Sequence, residues 1–306
     1  MNIRIATRGD DGALRALESR TPLNLGEEKL YLHHDRFFEV HELQDRTVVM
    51  LAEEGGEVIG VCAGALVEAP LAGADRRLVY MHHERIAPER QRQGVGGALT
   101  RAITDYWKEH AGGHIDSSYW FIAARNSQSI SFAERGGTSK RWPLSVYLCT
   151  IDGASGDSRA PVRVGAGPTF DIVRLINRTH AGEALFRPYE HVDFGRRLSL
   201  SGAYGWGDIY GRFAAGTERL VAVAGTWNGF VADFGYELDA EADMAALIRS
   251  MSARSERGLS ILLDGRSPLL PALAIDKESQ YELLFYAPRI EVPADPPMLH
   301  ADPAYF

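Results

Sequence analysis

The sequence predicts an α/β (α+β) fold in which strands and helices are interspersed, in two domains of similar layout. Segments of apolar alternation, typical of strands, are interspersed with segments of helical spacing. The second half of the chain broadly repeats this order. The length of 306 residues exceeds the usual size of one domain. An apolar fraction of 45% and a charged fraction of 24% are those of a folded chain with buried cores.

The first half is predicted to run strand, two helices, three strands, helix, strand, helix and strand. Asp10 or Asp11 can cap the first helix, and the glycine-bearing stretch 53–57 separates two apolar runs as in a hairpin. The predicted strands cover 3–7, 48–52, 58–66, 78–86, 119–124 and 145–151. The first predicted helix runs through Leu14 and Leu17, and the others cover 31–42, 95–110 and 127–135. These elements define a predicted first domain over residues 1–151.

A stretch rich in small polar residues, 152–161, has the composition of a linker. The predicted second domain covers 162–292, and the tail 293–306, with four prolines, is expected to be an extended segment on a surface. The elements predicted there are helices at 170–180, 189–200 and 242–254 and strands at 220–226, 231–237, 259–263 and 281–286.

Charge and composition narrow the classes of function. The net charge of -8 argues against broad nucleic-acid binding, which needs concentrated Lys and Arg, and it is compatible with a cationic or amine substrate. Neither a signal peptide nor a membrane-spanning run is visible, so we expect a cytoplasmic protein without a membrane partner. Cys62 and Cys149 both lie in apolar, strand-like stretches and are expected to be buried, reduced thiols.

A glycine-rich loop between the strand ending near Ile86 and the helix starting near Val95 predicts an anion site. Glycines let backbone N–H groups approach a phosphate, and the helix N-terminus adds a favourable dipole potential. A Walker loop would require Gly-Lys-Ser/Thr, whereas Gly96 is followed by Gly97 and Ala98. A dinucleotide fingerprint would require a third glycine at the position of Leu99. Neither of these nucleotide loops fits.

The loop resembles the signature Gln/Arg-x-x-Gly-x-Gly/Ala of the GNAT (N-acetyltransferase) superfamily. Gln91, Gly94 and Gly96 match it, after a lead-in at Ile86, Pro88 and Glu89. A second family element follows at the expected distance, with Asn126, Ser129, Phe132, Glu134 and Gly137 in corresponding places. This resemblance covers residues 1–151 and implies the fold of the family, a mixed, mostly antiparallel sheet flanked by helices, with two such domains in tandem. The second half is similar only in its layout, as in tandem GNAT proteins with a degenerate C-terminal copy.

The resemblance implies acetyl-CoA as acyl donor and an N-acyltransferase that acts on an amine of a small molecule by direct attack. It implies that the cofactor is bound by Arg85, Ile86 and Ala87 at the pantetheine, by Gln91, Arg92, Gln93, Gly94, Val95, Gly96 and Gly97 at the pyrophosphate, and by Asn126, Ser129 and Phe132 on the following helix. The tyrosine that many members use as general acid corresponds to Ala133 here. A CoA-binding sensor or interaction module without catalytic activity is therefore the alternative.

Two residues at the end of the fourth strand are candidates for catalysis. Glu84 lies where family members often place a base, although it can equally be a solvent-facing partner of Arg85 or Arg90. His82 is a candidate base or substrate contact. In a regular strand His82 and Glu84 share one face and His83 points away, so only two ligands converge and no metal is expected. The pair His33-His34 falls near the family's acceptor site, but a solvated or core-edge position is favoured.

Overall fold

The structure, a computed structural model, describes most of the chain from Met1 to Asp302. The residues that it does not describe are 26–27, 31–35, 42, 45, 136–140, 152–160, 166, 168, 203, 257 and 303–306. The predicted contacts of His33, His34 and Gly137 therefore lie outside the described residues, as does nearly all of the predicted linker.

The chain forms two compact units that do not follow the order of the sequence completely. The first consists of Met1–Pro143 and Leu284–Ala294, and the second of Leu144–Leu283 and the described residues from Asp295 on. The last strand of each half therefore contributes residues to the other unit. The predicted domains divide the chain in sequence order, at a linker over 152–161, into 1–151 and 162–292. A division of this kind cannot reveal that the two units exchange strand residues.

The first half of the chain contains eight strands and three α-helices among the described residues. In chain order they are β1 (Asn2–Ile5), α1 (Asp11–Arg20), β2 (Leu23–Leu25), β3 (Glu28–Leu30), β4 (Thr47–Glu54), β5 (Glu57–Leu71), β6 (Ala74–Ile86), α2 (Val95–His110), β7 (Ser117–Ala123), α3 (Ser127–Glu134) and β8 (Arg141–Ile151). A 3-10 turn, Phe37–His41, lies within the range predicted as the second helix. The short hairpin of β2 and β3 was not predicted.

The sheet of the first unit is mostly antiparallel, as predicted. Its order is β1-β4-β5-β6-β7, with antiparallel pairing from β1 to β6 and parallel pairing of β6 with β7. The parallel pair requires a crossover connection, which α2 provides. α2 lies close to β5 because Gly60 and Gly64 carry no side chain. A Cβ on Gly64 would lie 2.2 Å from Cγ2 of Ile103.

β6 and β7 remain together over a short distance only. Their described register pairs Leu78, Val79 and Tyr80 with residues 117–119. β6 then continues to Ile86 along β5, and β7 continues to Ala123 without further pairs between the two strands in the described register. The strands therefore part toward their carboxyl ends, beside the N-terminus of α2.

The second half of the chain contains a similar succession of elements. They are β9 (Val162–Arg163), α4 (Thr169–Thr179), α5 (His191–Leu200), β10 (Ile209–Phe213), β11 (Leu220–Trp227), β12 (Phe230–Tyr236), α6 (Glu241–Ser252), β13 (Leu259–Asp264), α7 (Leu269–Leu273) and β14 (Gln280–Tyr286). In the second unit β10, β11 and β12 are antiparallel, α6 follows, and β13 runs parallel to β12. This is the order of β4, β5, β6, α2 and β7 in the first unit.

The described part of the C-terminal tail has no helix, and its last residues are buried. Leu299 and Ala301 are buried, and the backbone of residues 298–300 is hydrogen-bonded to Ala184. Asp302 binds the buried guanidinium of Arg197. The tail is thus an integral part of the second unit.

Among the described helices of the whole chain, none has the length and apolar character needed to cross a membrane.

Candidate functional site

A β-bulge in β6 determines where its polar side chains lie. Val61 of β5 is opposite Arg85 and Ala63 is opposite His82, so Cys62 alone faces two residues, His83 and Glu84. His83 accommodates the extra residue with a φ of 54°, in the left-handed region. Histidine is among the residues enriched there, but the conformation still costs about 1–3 kcal/mol. A bulge changes the alternation of a strand and redirects its side chains.

The bulge separates the two predicted catalytic residues. The rings of His82 and His83 both lie about 5 Å from the ring of His41, with centroid distances of 5.1 and 5.4 Å. Glu84 instead lies against α2, because a Cβ on Gly96 would be 2.2 Å from its Oε1 atom. The expectation that His82 and Glu84 share a face is therefore wrong, since it assumed a regular strand.

Glu84 lies beside the first turn of α2. Its side chain is exposed, yet protein atoms crowd around the carboxylate, and this desolvation raises its pKa to about 7. The positive charge of Arg85 opposes the rise. A carboxylate in this state is charged for part of the time near neutral pH and can accept a proton.

The face opposite α2 holds a buried polar cluster of His82, His83, Arg85, His41 and Glu18. The carboxylate of Glu18, on α1, contacts His83, with Oε1 2.8 Å from Nε2 and both side chains at most 3% exposed. Burial, with the neighbouring His83, lowers the pKa of His82 well below its usual value. The ring of His82 stacks on Tyr80 at 4.8 Å. The sequence indicated His82 but not its partners, because Glu18 is distant in sequence.

Arg85 belongs to the same buried cluster. Its Nη1 donates to the backbone oxygen of Glu84, and burial lowers the pKa of its guanidinium while the charge of Glu18 opposes that shift. The guanidinium is thus engaged within the cluster. A contact of Arg85 with a pantetheine would have to come from its backbone.

The anion site is predicted at the loop 91–94 and the start of α2, and the structure gives the backbone conformation there. Arg92 and Gly94 adopt left-handed φ angles of 62° and 84°. The first helical hydrogen bond runs from Ala98 N to Gly94 O at 3.0 Å, so the amides of Val95, Gly96 and Gly97 precede the intrahelical ladder. A Cβ on Gly94 would meet no atom within 4 Å. The loop therefore presents backbone donors beside open space.

Side chains of the loop hold it in this conformation. Gln91 Nε2 donates to the oxygen of Ile86 at 3.3 Å, and Gln91 Oε1 accepts from Gln128 at 3.1 Å. Gln93 Nε2 donates to the oxygen of Glu89 at 2.8 Å. The side chains of Gln91 and Gln93 are thus engaged with the protein, so the backbone is the part of the loop that remains available to an anion.

The backbone of β6 has one donor that faces the opening toward β7. The amide of Ala87 donates to Ile59 O of the β5 side at 2.9 Å. Because successive residues of a strand direct their N–H groups to opposite sides, the amide of Ile86 points away from β5. Ile86 rather than Ala87 therefore offers a free amide where the two strands part.

The start of α3 is built around a helix cap. The side chain of Asn126 accepts a hydrogen bond from the amide of Ser129 at 3.1 Å. Phe132 is 43% exposed on the same helix. Ala133 is buried in a cluster with Tyr286, whose hydroxyl donates to Glu134 at 3.1 Å. Tyr286 is completely buried, so the space behind Ala133 is filled by a tyrosine from the far end of the sequence.

Comparison with known proteins relates this arrangement to a family. The profile of the Acetyltransferase (GNAT) family matches residues 13–137, which include β6, the glycine loop and α3. A comparison with curated protein sequences gave no match.

Solved structures resemble nearly the whole chain. The GCN5-related N-acetyltransferase of Sphaerobacter thermophilus is 11% identical with a TM-score of 0.62, over 95% of this chain and 96% of that chain. The GCN5-related N-acetyltransferase of Kribbella flavida is 15% identical with a TM-score of 0.51, over 93% of this chain and 70% of that one. A probable N-acyltransferase from Enterococcus faecalis V583 is 9% identical with a TM-score of 0.50, over 94% and 72%. At these identities the likeness concerns the fold.

The family match agrees with the motifs at Gln91–Gly96 and Asn126–Glu134, and it confirms the resemblance drawn from them. Residues 13–137 therefore belong to the Acetyltransferase (GNAT) family, and the first unit is an acyltransferase domain.

Proposed function

We propose that the first unit transfers an acetyl group from acetyl-CoA to an amine of a small molecule by direct attack. The observation that carries this proposal is the position of Glu84. Its carboxylate lies beside Gly96, at the start of α2, next to the place where β6 and β7 part. A proton acceptor thus adjoins both an anion site and an unpaired strand edge. The net charge of -8 is compatible with a cationic acceptor.

The loop fits the pyrophosphate of CoA. The amides of Val95, Gly96 and Gly97 are not used by the helix, and the helix dipole favours an anion at its N-terminus. Arg101 adds a positive charge nearby, since its Nη1 lies 3.5 Å from the position that a Cβ of Gly97 would take. The open space at Gly94 leaves room for an anion to approach. We also propose Arg92, Gln93, Asn126, Ser129 and Phe132 as part of this site.

The chemistry follows from the two groups at the opening. A bound acyl-CoA supplies an activated thioester carbonyl. The amide of Ile86 can donate to an oxygen on the open side of β6 and so stabilise negative charge there. Glu84, with its pKa near 7, can take the proton that the amine nitrogen must lose as it forms an amide. As the C–N bond forms, the C–S bond of the thioester breaks and CoA leaves as its thiolate, which takes a proton from water because Ala133 has none to give. No covalent bond to the protein is required.

The second unit supports a different role. Its α6 occupies the place that α2 has in the first unit, but α6 begins with Glu241 and Asp243 in its first turn. Two carboxylates at this helix N-terminus repel a phosphate, and no glycine stands among the residues 236–243 before and within that turn. We infer that the second unit is a degenerate copy of the fold that does not bind a second CoA.

The experiment compares two glycines with the same backbone conformation. Gly94 in the loop and Gly56 in the β4–β5 turn have φ angles of 84° and 85°, and a Cβ at either would meet no atom within 4 Å. Gly94→Ala and Gly56→Ala should therefore each cost about 1 kcal/mol of stability. Only Gly94→Ala should weaken binding of acetyl-CoA in calorimetry, by about tenfold or more, which corresponds to about 1.4 kcal/mol.

Equal affinities of the two variants would remove the loop from the site. Turnover is measured separately, as release of free thiol from acetyl-CoA in the presence of a panel of small amines. Tight binding of CoA without turnover of any amine would favour the alternative, a CoA-binding sensor. Absence of binding by the unaltered protein would overturn both.

A further inference from the structure

Three potential metal ligands converge in the second unit, apart from the acyltransferase site. His180 follows the C-terminus of α4, Glu183 lies three residues later, and His300 comes from the tail. One ligand atom from each lies within 4.8 Å of the others. Their side chains are 4%, 13% and 16% exposed, so all three are largely withdrawn from water.

Both ring nitrogens of His180 face oxygen atoms. Nδ1 lies 2.7 Å from Oε2 of Glu183, and Nε2 lies 3.1 Å from the backbone oxygen of Phe234. A neutral imidazole has a single N–H and can donate to only one of these oxygens. The other nitrogen would then direct a lone pair at an oxygen. Either a second proton or a metal cation at one nitrogen resolves this conflict.

The position of His300 distinguishes the two possibilities. Its Nδ1 lies 3.5 Å from the same Oε2 atom of Glu183, beyond a good hydrogen bond, and its ring centroid lies 4.5 Å from that of His180. A second proton on His180 would satisfy that ring alone and would leave His300 at a long contact with Glu183. A cation between the three atoms would bind all of them, and it would leave the N–H at Nε2 of His180 to donate to Phe234.

That outer hydrogen bond is typical of metal sites. Histidines that bind a metal commonly donate their other N–H to a backbone carbonyl, which fixes the ring and its tautomer. Zn²⁺ binds histidine nitrogen and carboxylate oxygen at about 2.0–2.2 Å, which separates ligands of a tetrahedral site by about 3.3 Å. The observed separations of 2.7 and 3.5 Å are within small side-chain adjustments of this value.

We infer that His180, Glu183 and His300 form a binding site for one divalent transition-metal ion, with Zn²⁺ as the preferred occupant. A cavity of about 50 Å³ adjoins the three residues and has room for a water molecule as fourth ligand. The ion would tie the tail to the end of α4. The neighbouring backbone bonds, Ala184 N to Met298 O at 2.7 Å and His300 N to Ala184 O at 2.8 Å, already hold the two segments together.

The test uses the full chain without a histidine tag, stripped with a chelator and titrated with ZnCl₂ in a calorimeter. We expect one ion per chain, a higher Tm in the presence of Zn²⁺, and, with Co²⁺ instead, the visible absorption of a tetrahedral site. His300→Ala and Glu183→Gln should each lower the affinity at least about 10- to 100-fold, the loss that even outer-shell changes produce. His191→Ala is the matched control, because His191 is an exposed histidine of the same unit.

A stoichiometric site that is lost in His300→Ala and kept in His191→Ala supports the inference. Circular dichroism of the metal-free variants establishes that they are folded, and Glu183→Gln provides a second variant should His300→Ala unfold. Weak binding of several ions that neither ligand variant changes would overturn it, since ten histidines offer adventitious surface sites. Absence of any binding would overturn it as well. Neither result depends on the acyltransferase reaction.

Discussion

At the scale of single residues, the site depends on the unusual backbone of His83. A left-handed φ at a residue other than glycine persists only where the surroundings hold it. Here the 2.8 Å contact of His83 with Glu18 does so, and both groups are buried. The bulge that results sends Glu84 toward α2 and His82 toward His41. The one extra residue of the bulge thereby places Glu84, and not His82, beside the glycine loop.

We expect Glu84→Gln to reduce turnover by about 10²–10⁴-fold, the usual contribution of general acid–base catalysis. The carboxylate must be deprotonated to accept a proton, and desolvation raises its pKa to about 7. The kcat/KM of the unaltered protein, referred to the unprotonated fraction of the amine, should therefore rise with pH through about 7 and then level off. The variant should lose this limb. Measurement of kcat/KM against pH for both proteins tests it, and an unchanged profile would exclude Glu84 as the base.

Two controls separate this effect from unfolding. Glu57→Gln alters an exposed carboxylate in the β4–β5 hairpin and should leave the rate unchanged. The folded state disfavours the charged form of Glu84, because its pKa is raised from 4.5 to about 7. The free energy of unfolding therefore falls as the pH rises from about 4.5 through about 7, whereas below about 4.5 the residue is neutral in both states and the term vanishes. Glu84→Gln should thus be at least as stable as the unaltered protein above pH 7 and equal to it in acid.

At the scale of elements, the approach of α2 to β5 positions the loop. Gly64 lies under Ile103, and the indole of Trp107 donates to the oxygen of Gly64 at 3.0 Å. Leu99, Ile103 and Trp107 bury the same face of the helix in the core. Since the loop is continuous with α2, the depth at which the helix lies on the sheet determines where the loop amides are.

We expect Gly64→Ala to destabilise the fold by about 1–3 kcal/mol, the cost of overpacking a core. The added methyl would lie 2.2 Å from Cγ2 of Ile103, an atom close to the helix backbone that cannot move aside freely. Gly12→Ala in α1 is the matched control, because its Cβ would meet no atom within 4 Å. It should stabilise by about 0.5 kcal/mol. Chemical denaturation measures both; equal stabilities would contradict the role of Gly64.

At the scale of the whole molecule, the units are assembled from segments distant in sequence. Leu284 and Tyr286 of β14 belong to the first unit and are buried with Ile122 and Ala133. Trp120 stacks on Tyr286 with ring centroids 6.4 Å apart. In return, residues 144–151 of β8 pair with β13 in the second unit. Neither half of the sequence therefore contains a complete core.

We expect a fragment of residues 1–151 to be much less stable than the first unit in the full chain. Without β14 it exposes Ile122, Ala133 and the face of Trp120 that Tyr286 covers. Binding of a fluorescent hydrophobic dye and limited proteolysis, compared with the full chain, measure this. A fragment that resists protease and denaturant as well as the full chain would contradict the exchange of strands.

Local sequence patterns were enough to predict most elements and to identify the glycine loop. Apolar periodicity predicted most helices and strands to within a few residues, because the pattern reflects which faces are buried. It did not predict β10, whose five residues Ile209–Phe213 are too few for a clear alternation, nor the 3-10 turn at Phe37. The motif around Gly94 and Gly96 was recognisable because the glycines are required locally, by backbone conformation and close approach.

The arrangements that depend on distant residues became visible only in the folded chain. The bulge at His83 follows from the pairing of β6 with β5 and from the contact with Glu18. Tyr286 is buried behind Ala133 because a strand from the other end of the chain packs there. His180, Glu183 and His300 form a cluster because the tail returns to the end of α4. Local sequence carries no record of such partners, since the energy that places them arises between segments that meet only after folding.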